Sequence, residues 1–111
     1  MYLLVIQLFK NEYKEDLYMA LSSAGIQYTT YCDGHNLDNE LRNTLPIFSG
    51  LFKSLEEKTR YATVYFCAAE SKEQVDAIVE GFEIADIDWK KEGIFRIITI
   101  KAEDVIDPEL D

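Results

Sequence analysis

Cysteine, proline and histidine are scarce in this chain of 111 residues, and each shortage excludes something. There are two cysteines, two prolines and one histidine. Two cysteines cannot form the disulfide framework of a small secreted domain, and both lie in strand-like segments, which predicts reduced, buried thiols in a cytoplasmic protein. No nucleophile is spaced so that the single histidine and a third group could orient it. We therefore expect a protein that is not an enzyme.

Cations are also few: 11 Lys and Arg residues against 21 Asp and Glu residues give a formal net charge of -10. Nucleic-acid affinity depends largely on cations that neutralise phosphates, so the balance argues against such a partner and against an anionic membrane surface. Five carboxylates and no cation lie in the tail 103–111, which we interpret as solvated. The apolar start YLLVIQLF lacks a basic flank and is far shorter than the roughly 20 residues that span a bilayer, so we predict neither a signal peptide nor membrane insertion.

What remains is the composition of one folded domain, with 48% hydrophobic and 13% aromatic residues. Runs rich in β-branched, aromatic and aliphatic residues predict four strands, at 2–9, 26–32, 60–68 and 94–101. Tyr2, Tyr28, Tyr61 and Tyr65 fall at strand positions, where we expect buried rings with bonded hydroxyls. Trp89, before the fourth strand, is expected to anchor the packing of the second helix.

Two helices are predicted between these strands. In the first, an apolar stripe recurs at helical spacing, with Asn11 as N-cap and Gly25 as the stop. In the second, Ser71 and Gln74 match a capping box. The stripes are Tyr13, Leu17, Leu21 and Ala24 in the first helix, and Val75, Ile78, Val79 and Phe82 in the second.

The element order βαββαβ predicts a ferredoxin-like α+β fold over residues 1–111, a four-stranded antiparallel sheet with both helices on one face. The other face is left bare, although the strands are apolar on both sides. An exposed apolar patch of that extent usually marks an interface. We therefore predict a homo-oligomer in which the sheets pack inward.

A long insert, 33–59, separates the second and third strands, where a tight turn would suffice. Connections of this length are usually functional or structured, and Asp33-Gly34 is a turn signal at its start. Its apolar run has the spacing of a short amphipathic helix, which either folds onto the body or a neighbouring subunit or meets an outside protein. The ligand- or partner-binding residues predicted in it are Leu45, Pro46, Ile47, Phe48, Leu51 and Phe52.

This element order, with its insert, resembles the nitrogen-regulatory PII superfamily, and the run LPIFSGLF is similar to the PIFaGL stretch of PII-like proteins. The resemblance implies a trimeric regulatory or protein-interaction module whose insert corresponds to the T-loop. Adenine nucleotide is a ligand that the resemblance suggests but the residues support weakly, since CAAESKEQ after the third strand has no glycine to hold phosphates. CutA-like proteins share the trimeric plan, which leaves a trimer binding a small molecule or a divalent metal as the alternative.

Cys32, His35 and Asp38 form the one cluster of metal-capable side chains that the sequence suggests. A thiolate, an imidazole and a carboxylate can together hold a divalent transition metal. Their spacing matches no closed zinc motif, however. The simpler interpretation, a thiol at a strand end beside a solvated loop histidine, therefore stands beside the metal site.

Overall fold

The structure is a computed structural model that describes residues 1–35, 37 and 61–109. Its strands form one antiparallel sheet in the order β2-β3-β1-β4, which confirms the predicted α+β fold and the long connection between β2 and β3. Within the described ranges, no helix is long and apolar enough to cross a membrane. The elements are β1 (Tyr2–Leu8), a 3-10 turn (Asn11–Tyr13), α1 (Lys14–Ser23), β2 (Thr30–His35), β3 (Tyr61–Ala69), α2 (Lys72–Ile84) and β4 (Phe95–Lys101).

Buried and more exposed side chains alternate along β1, which distinguishes the two faces of the sheet. Leu4, Ile6 and Leu8 are buried beneath the helices, because successive side chains of a strand point to opposite faces. Cross-strand pairing extends this layer to the neighbouring strands, where Ile6 lies opposite Tyr65 of β3 and Ile97 of β4. The core therefore lies between the sheet and the two helices.

The helices approach closely where Gly81 of α2 faces Ala20 of α1. A Cβ atom at Gly81 would lie 3.0 Å from the Cβ of Ala20 and 3.3 Å from its Cα. Ala20 is buried, as are Leu17 and Leu21 on the same stripe. Small residues at this crossing let the two helices cover the sheet together.

Gln74 joins the start of α2 to the end of α1. Its backbone N–H donates to Ser71 Oγ at 3.3 Å, and its side-chain Oε1 accepts from the Glu70 N–H at 2.6 Å. These are the two bonds of a capping arrangement, the second made one residue earlier than usual. The Gln74 amide also donates to the carbonyls of Ala24 and Gly25, at 3.1 and 3.3 Å. The predicted N-cap of α2 is confirmed.

The predicted N-cap of α1 is wrong. Asn11 begins a 3-10 turn, and Tyr13, which precedes Lys14, stands at the N-cap without a side-chain bond. Within this turn, the backbone N–H of Tyr13 donates a hydrogen bond to the Lys10 carbonyl at 3.0 Å. The tighter turn thus satisfies a backbone group that a cap would otherwise serve.

Strand β2 begins later and ends later than the sequence predicts. The Ile26 N–H donates to the Leu21 carbonyl, which keeps Ile26 at the end of α1. Tyr28, at φ 56°, is 69% exposed outside the strand, so the predicted buried tyrosine is wrong there. Gly34 lies inside β2 opposite Ala62, and the turn predicted at Asp33-Gly34 is therefore wrong. The connection begins after His35, not at residue 33.

An aromatic stack holds the segment between α2 and β4. Trp89 stacks on Phe95 with ring centroids 4.6 Å apart, and Phe95 meets Phe82 of α2 at 4.7 Å. The backbone N–H of Ile94 donates to the Trp89 carbonyl, which leads the chain into β4. Trp89 thus contacts the core beside the second helix, as predicted.

Candidate functional site

The sheet face opposite the helices, here called the open face, is mostly apolar, and none of the described helices covers it. On it Leu3 is 40% exposed, Phe66 is 41% exposed and Ile100 is 49% exposed. Register places them close together, since Leu3 lies opposite Ile100, and Val5 lies opposite Phe66 and Ile98. Contiguous exposed apolar side chains of this kind mark interaction surfaces more often than isolated ones do.

The open face also differs from the rest of the molecule in charge. Along the described strands, the residues of this face include one cation, Arg96, and no carboxylate. The whole chain carries a formal charge of -10, so most other surfaces of two copies would repel each other. Of the strand and helix surfaces described, this is the one that acidic copies can bring together without opposing carboxylates.

Gln7 lies on the open face near the end of β1, an inner strand of the sheet. Val64 and Arg96 are its cross-strand partners. Its amide oxygen is buried and has no hydrogen-bond partner among the described residues. A buried polar atom left unpaired is costly, and such atoms are few in folded proteins. Gln7 therefore combines a buried, unpaired polar atom with a position on a mostly apolar face.

A pocket of about 400 Å³ lies on the other side of the sheet, at the base of the long connection. Its lining brings together Leu8, Asn11, Asp33, His35 and Thr63. Asp33 and His35 are two residues apart on β2 and so share a face. The pocket thus offers a carboxylate, an imidazole, an amide and a hydroxyl over an aliphatic floor, a combination suited to a small polar ligand.

Two of the three predicted metal ligands, Cys32 and His35, lie among the described residues, on opposite faces of β2. Cys32 and His35 are three residues apart on β2, so Cys32 belongs to the open face while His35 lines the pocket. Asp38 lies outside the described residues, as do Leu45, Pro46, Ile47, Phe48, Leu51 and Phe52. Among the residues that the structure does describe, no three His, Cys, Asp or Glu side chains are grouped as a metal would require.

Three tyrosines meet where α1 crosses β2 and β3. The buried Tyr65 hydroxyl donates to the Tyr18 hydroxyl oxygen at 3.3 Å, and the rings of Tyr31 and Tyr65 lie 5.6 Å apart. Burial and the bond to Tyr18 raise the pKa of Tyr65 above its ordinary value. Burial likewise raises the pKa of Cys67, and a bond from Thr29 partly offsets this. Both groups remain neutral at pH 7, which suits packing rather than chemistry.

Sequence reasoning missed the polar lining of the pocket and the isolation of Gln7. Gln7 had a visible signal, since it is the one polar residue in YLLVIQLF. Asn11, Asp33 and Thr63 are distant in sequence and converge only through the register of the sheet.

No protein-family model matches this chain, and no curated protein matches it either.

Proposed function

We propose that this protein is a cytoplasmic homotrimer that works as a regulatory or protein-interaction module of the PII-like kind. The open face carries the proposal: exposed Leu3, Phe66 and Ile100 form an apolar surface without carboxylates on a strongly acidic chain. Packing three such faces around an axis would bury them together. The two cysteines form no disulfide, which is compatible with a reducing compartment.

The pocket at the base of the connection supports a regulatory role. His35 ends β2, and Tyr61 begins β3 directly opposite it. A small polar ligand bound by Asp33 and His35 would therefore bind where the connection 36–60 leaves the sheet. A bound ligand would then favour one conformation of that connection, which is the element proposed to bind partner proteins.

The assembly is tested by light scattering coupled to size exclusion on the full chain. Three chains of 12.8 kDa give a mass of about 38 kDa. Phe66→Asp places a charge on the open face and should yield monomers. The matched control is Ile84→Asp, because Ile84 is apolar and 85% exposed but lies on α2, away from the open face. Wild type at 12.8 kDa, or equal dissociation by both variants, would contradict the proposed assembly.

The ligand is tested by thermal shift with AMP, ADP, ATP, 2-oxoglutarate, Zn²⁺ and Cu²⁺. A ligand at about 100 times its Kd adds about 2.7 kcal/mol to native stability, a clear rise in melting temperature for a domain of this size. Asp33→Asn and His35→Ala should each remove the rise. If a shift survives in both variants, the ligand binds elsewhere. If no compound shifts the wild type, the module acts through protein contacts alone, and deleting residues 36–56 should then abolish partner binding.

The CutA-like alternative, a trimer that binds a divalent metal, is favoured by one observation. Asp33 and His35, a carboxylate and an imidazole, line the same pocket, and both are ordinary ligands of transition metals. A shift with Zn²⁺ or Cu²⁺ alone, lost in His35→Ala and retained in Cys32→Ser, would support this function over the first.

A further inference from the structure

We infer that Gln7 is the residue that fixes how copies of this chain pack on the open face, by hydrogen bonding to its counterparts in the neighbouring copies. This inference rests on the proposed homo-oligomer and adds the partner atom and its role. The buried amide oxygen of Gln7 has no hydrogen-bond partner among the described residues. Gln7 lies near the end of β1, which is an inner strand between β3 and β4.

The side chain is suited to meeting its own copy. A glutamine amide carries two N–H donors and a carbonyl acceptor, so two or three equivalent amides can satisfy one another. In a symmetric oligomer only residues beside the axis meet their equivalents, so the inference places Gln7 beside the axis of the proposed assembly. Gln7 is partly exposed as a residue, and the terminal torsion of glutamine is broad. The amide can therefore turn outward, towards a second copy, without an unfavourable rotamer.

The surroundings explain why one polar group would matter. Val5 and Val64 flank Gln7 on the open face, and Leu3, Phe66 and Ile98 extend the apolar surface. Apolar surfaces attract without direction and can slide or pair in several arrangements. A buried amide that must find a partner permits fewer of them, as a single polar residue does in the seam of a coiled coil.

Arg96 is the donor nearest in register within the same chain, since it lies opposite Gln7 on β4. The Arg96 side chain does not donate to the Gln7 amide oxygen in the single chain, because that oxygen has no partner among the described residues. If the guanidinium of Arg96 served Gln7 in solution, the amide would be satisfied without a second copy. An amide bonded to Arg96 within one chain and an amide bonded between copies differ in their effect on assembly: only the second makes the number of subunits depend on Gln7.

The test is native mass spectrometry and light scattering on the full chain, comparing wild type with Gln7→Leu and Gln7→Glu. Wild type should give one stoichiometry. Gln7→Leu, apolar and of similar size, should still associate but populate more than one stoichiometry. Gln7→Glu should raise the dissociation constant at least tenfold at pH 7, because it brings like charges together, and should recover at a pH where the carboxyl is protonated. Gln27→Leu, an exposed glutamine off the open face, should match the wild type.

The outcomes separate this inference from the proposed function. Oligomeric wild type together with a single unchanged stoichiometry in Gln7→Leu would overturn the role of Gln7 while leaving the oligomer intact. Wild type that is monomeric at every concentration would overturn both. Should Gln7→Glu fail to fold, as reported by the fluorescence of Trp89, the stoichiometry of Gln7→Leu decides alone. A nuclear Overhauser contact between Gln7 amides in a mixed-isotope sample would support the inference directly.

Discussion

Replacing Gly81 by alanine should destabilise the protein, although alanine favours helices. Gly81 lies inside α2, where exchange of glycine for alanine normally gains about 1 kcal/mol. Here the new Cβ would lie 3.0 Å from the Cβ of Ala20 and 3.3 Å from its Cα. Ala20 cannot rotate away, because its Cβ is fixed by the backbone of α1, so the helices themselves must separate.

The two effects can be compared in size. Overpacking a tight interior contact typically costs about 1–3 kcal/mol, which exceeds the helical gain of about 1 kcal/mol. We therefore expect Gly81→Ala to lower the free energy of unfolding by about 1 kcal/mol. In an Ala20→Gly background the obstructing methyl group is absent, and the same change should then stabilise the protein by up to about 1 kcal/mol.

Urea unfolding monitored by Trp89 fluorescence measures both effects, since Trp89 is the one tryptophan of the chain and stacks on Phe95 in the core. Wild type, the two single variants Gly81→Ala and Ala20→Gly, and the double variant form a double-mutant cycle. All four are compared at one protein concentration, because association would shift the urea midpoint. If Gly81→Ala raises the urea midpoint equally in both backgrounds, the Ala20 methyl group does not obstruct the new Cβ, and the expected destabilisation is refuted.

Three further changes probe other parts of the fold. Gln74→Ala should lower the free energy of unfolding by about 1–2 kcal/mol, because it removes the bonds to Glu70, Ala24 and Gly25; in urea unfolding, Glu73→Ala in the same turn should change little. The raised pKa of Tyr65 means that the folded protein holds this proton more tightly than the unfolded chain does. Stability present below the ordinary value of 10.0 should therefore fall as pH rises above it, and Tyr65→Phe should flatten that loss in unfolding titrations. Dilution should speed maleimide labelling of Cys32, which is exposed at the open face, while buried Cys67 should label slowly at every concentration; a Cys32 rate independent of concentration would argue against a covered face.

The architecture could be predicted because its signals are repeated along the chain. Leu4, Ile6 and Leu8 alternate with Leu3 and Val5, and this pattern by itself indicates both a core face and a second apolar face. The apolar stripe of α2 is similarly redundant, since Val75, Ile78 and Phe82 are all buried. Signals of this kind survive the loss of any one residue, so the element order and the open face followed from them.

The boundaries of β2 depended on single residues, and there the prediction failed. Ile26 and Tyr28 belong to residue types that favour strands, yet a backbone bond to Leu21 holds Ile26 at the end of α1. Asp33-Gly34 has the composition of a turn but pairs within the sheet. Tertiary pairing outweighed local preference in both places.

That error also determined which site residues were paired. A turn at Asp33-Gly34 would let Cys32 and His35 converge. In the sheet they belong to opposite faces, and Asp33 replaces Cys32 as the neighbour of His35. Predicting the pocket would have required the register of three strands, which the sequence does not encode locally.

The pairing of His35 with Tyr61 has a consequence for how this protein can change over time. Both ends of the connection 36–60 are held one strand spacing apart by the β2–β3 ladder. The entropy of closing a chain between fixed ends grows only with the logarithm of its length, so doubling the connection costs about 0.6 kcal/mol. As far as loop-closure entropy is concerned, evolution, or an experimenter inserting a peptide there, can therefore lengthen the connection with little loss of stability. The β2–β3 ladder can therefore stay the same while the length of the connection changes.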